Sequence, residues 1–387
     1  MKTLKISILL LALLAFKFQV SLNAQKLSEN AQISLLTCNP GTDLYSVFGH
    51  SAIRVKDYDK GIDWVYNYGT FNFKTPNFYV KFVRGQLNYQ LAVNHMQDFL
   101  NEYQYENRSV YEQVLDLSQD EKEEVFNFLE FNRLPENMHY LYDFFFDNCA
   151  TRVRDVFQKE MTNRIKFDEG AYKQLSFRQM LKPYLEPQPW SRFGINLVLG
   201  AIADREATLD ESMFLPDYMK VAFAGAQLSN KPLVKSSKTL FEQQIIEEKI
   251  SFFERPGFVF WSVLIFVFLI TFLEIRNKKA YKLIDFIVFL FVGVIGLIIF
   301  LLWFATDHTA VVNNWNLLWA IPTHFFIAFL VFRKSKSNFL KYYFLVSGIL
   351  TASSLVSWFF IPQQYDLAFI PIIIMASLRS FKLFQYY

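Results

Sequence analysis

Five apolar runs in the last third of the chain constrain its fold more than any other feature. Residues 258–275, 283–305, 315–332, 340–361 and 367–378 approach the length needed to cross a hydrocarbon core of about 30 Å. Their connections alternate in charge. "RNKKAYK" (276–282) and "RKSKSNFLK" (333–341) are rich in Lys and Arg, and Arg379 and Lys382 follow the last run. "TDHTAVVNN" (306–314) and "PQQYD" (362–366) contain neither residue type. Basic loops stay in the cytoplasm, so the first set is predicted inside and the second outside. Five spans satisfy every loop. The last run is the shortest and carries Pro371, which would also suit a re-entrant segment.

The amino terminus predicts the same orientation independently. In "MKTLKISILLLALLAFKFQVSLNAQ", Lys2 and Lys5 form a positive region, residues 6–16 an apolar one, and Ala24 a small cleavage position. This reads as a signal peptide over 1–24, with an uncleaved anchor as the alternative, and places the following domain outside. "LLTC" (35–38) resembles a lipoprotein cleavage box, but the polar "KLSENAQIS" before it supplies no apolar stretch, so that reading is rejected.

Residues 25–250 are then an exported domain and 257–387 a membrane bundle of about five helices. The exported part mixes periodicities. "ISLLTCN", "SAIRVKD", "WVYNYGTF", "QLNYQLAV" and "SVYEQVLDL" are rich in β-branched and aromatic residues and read as strands. "SQDEKEEVFNFLEFN" opens with Ser118 and Glu121, a capping-box pattern ahead of a helix. Helices are also predicted over 171–185, 191–203 and 211–225, and residues 226–250 read as a polar, partly helical approach to the membrane. The fold class is α+β followed by an α-helical transmembrane bundle.

A net charge of +3 in 387 residues argues against nucleic acid as a partner. No phosphate loop, dinucleotide fingerprint, CxxC or HExxH pattern occurs, and the five histidines lie far apart, so no metal site is predicted. What remains is a thiol. In "DFFFDNCATRVRDVF", Ala150, Val153, Val156 and Phe157 recur at helical spacing behind the cap-type residues Asp147 and Asn148. Cys149 is thereby predicted at a helix start, where unpaired N–H groups and the positive dipole end favour a thiolate. Its best base is His50 in "YSVFGHSAIRV", beginning a strand after a glycine that permits close approach. Asn67, on the next strand, is the candidate to orient the imidazole. Against this stands a structural reading: an exported chain with two cysteines permits a Cys38–Cys149 disulfide. Cys38 as nucleophile is disfavoured, because Pro40 and Gly41 follow it and no helix begins there.

The order of histidine on a strand, a neighbouring polar strand residue, then "NC" opening a helix resembles a circularly permuted papain or NlpC/P60-type fold, shared by lecithin–retinol acyltransferase-like enzymes. More closely, "LLTCNPGTDLYSVFGHSAIRV", "YNYGTFNF", "ENRSVYEQVLDL", "YDFFFDNCATRVRD", "ADREATLDESMFLPDYM" and "TDHTAVVNNWNLLW" resemble the Lnb-type lipoprotein N-acyltransferase family. One departure is Thr309, where the family pattern has proline after "TDH". The resemblance implies a Cys149–His50 dyad and a multi-pass inner-membrane enzyme with its catalytic domain in the periplasm. It implies a phospholipid acyl donor, a diacylated lipoprotein acceptor, and no cofactor. Asp307 and His308, in an outward loop, and Arg108, Arg152 and Arg205 are candidate headgroup or phosphate contacts. Two rival classes remain: a cell-wall peptidase or amidase on the same fold, and a non-enzymatic envelope assembly protein, which a Cys38–Cys149 disulfide would favour.

Overall fold

The computed structural model describes residues 26–161, 164–244 and 250–387; the leader read at 1–24 lies outside the described residues. In chain order the exported part consists of β1 (Gln32–Cys38), β2 (His50–Asp57), β3 (Ile62–Thr70), α1 (Phe78–Val83), β4 (Asn88–His95), α2 (Met96–Tyr105), β5 (Val110–Leu115), α3 (Gln119–Asn132), β6 (His139–Leu141), α4 (Cys149–Glu160), α5 (Phe177–Leu185), α6 (Pro189–Val198), α7 (Pro216–Gly225) and β7 (Val234–Phe241). The strands form an antiparallel sheet of order β7-β5-β1-β2-β3-β4-β6.

Strand alternation sends apolar side chains to both faces. Ile33, Leu35, Ile53, Val55 and Tyr66 pack against Val125, Phe126 and Leu129 of α3 and Val153, Val156 and Phe157 of α4. On the other face Leu36, Cys38, Ala52 and Val65 meet Met96, Phe99 and Tyr103 of α2. Each such buried side chain contributes about 1.5–3 kcal/mol, so the sheet is a rigid floor for whatever stands at its edge. Ser118 caps α3 in the predicted box with Glu121.

Two expectations are corrected. Among the described residues, the stretch after residue 226 is not a helical approach: β7 returns to pair with β5 at the sheet edge. Its side chains are largely exposed, so backbone pairing rather than burial makes it a strand, and no apolar alternation announces it. The run 315–332 is not a continuous span. A single 3-10 turn, Trp315–Leu318, is followed by the seven-residue helix α10 (His324–Leu330), with Pro322 between them. Proline has no N–H to continue a ladder, whereas a hydropathy window counts only composition.

Around that broken segment stand α8 (Pro256–Asn277), α9 (Lys282–Ala305), α11 (Asn338–Ser357) and α12 (Phe369–Tyr386). Among the described residues three helices, α8, α9 and α11, are long and apolar enough to cross a membrane. In α12, Pro371 falls in the first turn, where a missing N–H costs nothing, and Arg379 is fully buried.

The two parts are joined through α6. Its last carbonyls have no intrahelical donors. Asn314 Nδ2 donates to the carbonyls of Leu197 (2.9 Å) and Val198 (3.0 Å), Asn316 Nδ2 to Leu197 (3.0 Å), and Gln363 Nε2 to Leu199 (3.2 Å). Asn196 and Arg192 of α6 both reach Asp366. The outward loops thus terminate a helix of the exported domain, so "VVNNWN" and "PQQYD" work as a docking surface.

Candidate active site

Cys149 is the first residue of α4, and Asn148 is its cap. Asn148 Oδ1 accepts from the N–H groups of Ala150 and Thr151, both at 2.9 Å, while its own N–H donates to Thr151 Oγ1 at 2.7 Å. A cap of this kind contributes about 1 kcal/mol. Asn148 Nδ2 also donates to the carbonyls of Phe144 and Phe214, anchoring the helix start to two loops. Asp147, the other cap candidate, pairs instead with Arg152.

Gly69 of β3 has φ +86, and a Cβ built there would lie 3.1 Å from Cys149 Cβ. Glycine is therefore required twice at this position, for the backbone conformation and for the room it leaves the thiol.

His50 stands at the start of β2, and its Nε2 is hydrogen-bonded to Asn67 Oδ1 on β3. A carbonyl oxygen only accepts, so the ring carries its proton on Nε2 and leaves Nδ1 as the acceptor. No hydrogen bond joins His50 to Cys149 among the described residues. The two instead line one cavity of about 560 Å³, with Asn67, Gly69, Asn148 and Arg108 and an otherwise mainly aromatic and aliphatic wall that includes Phe48, Phe71, Tyr142 and Phe214.

Burial sets the resting protonation. It pushes the Cys149 thiol up to about 11, although hydrogen bonds from the backbone N–H groups of Ser51, Ala150 and Cys149 itself, and the charge of Arg108, pull the other way. It drives His50 down to about 4, against the hydrogen bond to Asn67 and assisted by Arg108. At neutral pH the pair is thiol plus neutral imidazole. The N–H groups at the helix start favour the thiolate, as expected, and desolvation of the anion outweighs them. A neutral imidazole with a free Nδ1 is a general base, and the ring of N–H donors at the sulfur can also receive a developing oxyanion.

Arg108 is 6% exposed on the cavity wall. Its Nε donates to the Asn39 carbonyl at 2.9 Å, its Nη1 pairs with Glu106 at 2.7 Å, and its guanidinium stacks on Tyr103. Its Nη2 is buried with no partner among the described residues.

The other sequence candidates lie elsewhere. Arg152 is held by Asp147 and stacks on Tyr140; Arg205 pairs with Glu211 and stacks on Phe177. Neither lines the cavity. Asp307 and His308 face the end of α1: Gln86 Nε2 donates to Asp307 Oδ2 at 2.7 Å, and His308 Nε2 to the carbonyls of Phe82 and Val83, both at 3.1 Å. Cys38 pairs in register with His50. It is a buried free thiol, pushed up to about 12 by desolvation. Cys149 is also free, so the disulfide alternative is not formed. Sequence reasoning overlooked Gly69, Glu102, Glu106 and Tyr103 on the cavity wall. Of these only Gly69 carried a signal, as an isolated glycine inside a strand pattern.

Two family descriptions match the chain: the Lnb N-terminal periplasmic domain over residues 18–183 and the Lnb transmembrane domain over 247–387. The chain belongs to the Lnb-type lipoprotein N-acyltransferase family. No curated protein and no solved structure matches it. As an Lnb-type protein it is a membrane protein with a periplasmic N-terminal domain, in a family of lipoprotein-modifying enzymes. Its cavity belongs to the periplasmic part, and one residue of its wall, Phe82, meets His308 of an outward loop through its carbonyl.

Proposed function

We propose that this Lnb-type chain moves an acyl chain from a phospholipid to the N-terminal amine of a diacylglyceryl-cysteine lipoprotein, through a thioester on Cys149, at the outer face of the inner membrane. In the first step Sγ attacks the ester carbonyl carbon while His50 Nδ1 takes the thiol proton. The N–H groups of Ser51 and Cys149 stabilise the oxyanion. The C–O bond then breaks, and His50 returns its proton to the departing lysophospholipid oxygen. In the second step the free α-amine attacks the thioester carbonyl and gives its proton to His50. The C–S bond breaks, the proton passes to sulfur, and an amide leaves. Arg108, with its unpartnered Nη2 on the cavity wall, is the residue we assign to the donor's phosphate or the oxyanion. Arg152, Arg205, Asp307 and His308 support the fold around the site.

The observation that carries this reading is one apolar cavity holding both a capped-helix thiol and an amide-oriented imidazole, on a domain bolted to membrane loops.

Cys149→Ser and His50→Ala should each leave a folded, inserted protein and diacylated lipoproteins with free amines, with activity down by about 10³-fold or more. Mass spectrometry of lipoprotein N-termini, in cells with no other N-acyltransferase, reads the outcome. Full triacylation by Cys149→Ser would defeat the mechanism.

A further inference from the structure

Helix α1 is six residues long, yet it exposes more apolar surface than a water-soluble domain needs. Phe78 turns inward, while Tyr79 is 77% exposed, Val80 59%, Phe82 49% and Val83 54%, with Phe73 beside them at 69%. A contiguous patch of this kind marks an interaction surface.

Its position says what covers it. Gly85, just past the helix, has φ +69, and a Cβ there would lie 3.2 Å from the His308 backbone nitrogen. Asp307 N–H donates to the Arg84 carbonyl at 2.9 Å, and His308 caps the last carbonyls of α1. Asp307 lies two residues beyond Ala305, the outward end of α9. Helix α1 is therefore pinned beside the outward end of a membrane span. Lys74 and Arg84, both exposed, flank the patch with the charge that anionic headgroups attract. Phe82 also lines the Cys149 cavity.

We infer that α1 is an interfacial membrane element: Tyr79, Val80 and Val83 sit among the acyl chains of the outer leaflet, and Phe82 forms a lateral doorway from the bilayer into the cavity. The doorway deepens the proposed acyl-transfer reading and rests on it; the membrane contact does not.

The test uses the full chain in liposomes of phosphatidylethanolamine and phosphatidylglycerol. A benzophenone amino acid placed at Tyr79, Val80 or Val83 should give lipid adducts on illumination. The same probe at Tyr58, equally exposed at 74% but at the opposite end of β2, should give none. Adducts at α1 no more abundant than at Tyr58, or adducts with added lipoprotein instead of lipid, overturn the inference. The double variant Val80→Asp, Val83→Asp should acylate Cys149 from liposomes about tenfold more slowly or worse, yet keep its rate with a short-chain water-soluble acyl donor. Equal slowing with both donors overturns the doorway. Lipid adducts without any acylation of Cys149 in the unmodified chain would leave the membrane contact standing and remove the acyl-transfer reading instead.

Discussion

Two buried arginines in this chain are treated in opposite ways. In the membrane part, Arg379 is 0% exposed and wholly paired. Its Nε donates to Asp285 at 2.7 Å, and its Nη1 to Glu274 at 2.6 Å and Thr271 at 2.8 Å. Lys382 adds a second cation against Glu274. The cluster ties α8, α9 and α12 together at the end where the basic loops lie. In the periplasmic part, Arg108 is also buried, but one of its nitrogens has no partner among the described residues. A charge held in apolar surroundings is tolerable only when paired. The paired one is a clamp. The incompletely paired one, on a cavity wall beside a thiol and an imidazole, is open to a ligand.

This contrast can be broken by substitution. Arg379→Ala leaves Asp285 buried without its ion-pair partner and Glu274 with Lys382 alone, and should cost about 3–5 kcal/mol of stability, seen as a lower unfolding midpoint in detergent or as loss of inserted protein. A variant of unchanged stability would show that the cluster is not the clamp. Arg108→Gln should do the reverse: activity falls about 10²-fold, roughly 2.7 kcal/mol of transition-state stabilisation, while the unfolding midpoint moves little. Should Arg108→Gln unfold the protein and Arg379→Ala spare it, the comparison is inverted.

Cys38→Ala tests a smaller difference, between two free thiols in one domain. Cys38 sits in the apolar layer under α2, so the variant should lose about 1–2 kcal/mol of stability and keep most of its activity. Loss of activity with intact stability would make Cys38 part of the chemistry.

The smallest expected effect is in the pH profile. Attack by the resting pair uses neutral His50 and protonated Cys149. Falling pH removes the base only near about 4, and rising pH ionises the thiol only near about 11, so kcat/KM for the phospholipid donor should be flat across the neutral range. The charge of Arg108 lowers both groups, so Arg108→Gln should move both limbs to higher pH. A limb near the ordinary imidazole range in the unaltered enzyme would mean that His50 is more solvated than its surroundings imply.

Much of the periplasmic fold was legible because its signals are local. Enrichment in β-branched and aromatic residues marked β1 through β5, and Ser118 with Glu121 marked the start of α3. Asn148 before an apolar-periodic stretch placed Cys149 at a helix start, and the strand order brought Asn67 within reach of His50. The failures have a common cause. Strand β7 is polar and exposed and exists through its pairing with β5. The segment 315–332 has the composition of a span, but Pro322 and the carbonyl partners of Asn314 and Asn316 impose a turn. Nothing near Arg108 in sequence says that its guanidinium ends on the same cavity wall as Cys149.

Sequence alone determined which segments are rich in apolar residues, which loops lack basic residues, and where the thiols and imidazoles fall, since each depends on composition and spacing within a few turns of chain. Tertiary structure decided what those residues are. Burial holds Cys149 as a thiol where the helix terminus by itself argued for thiolate, because desolvation is a property of everything packed around a group and not of its neighbours in sequence. The same packing turned Asp307 and His308 from an outward loop into the bracket that sets the end of α1 beside the outward end of a membrane span. Backbone donors and acceptors must find partners across any distance in sequence, and no local pattern records which ones they find.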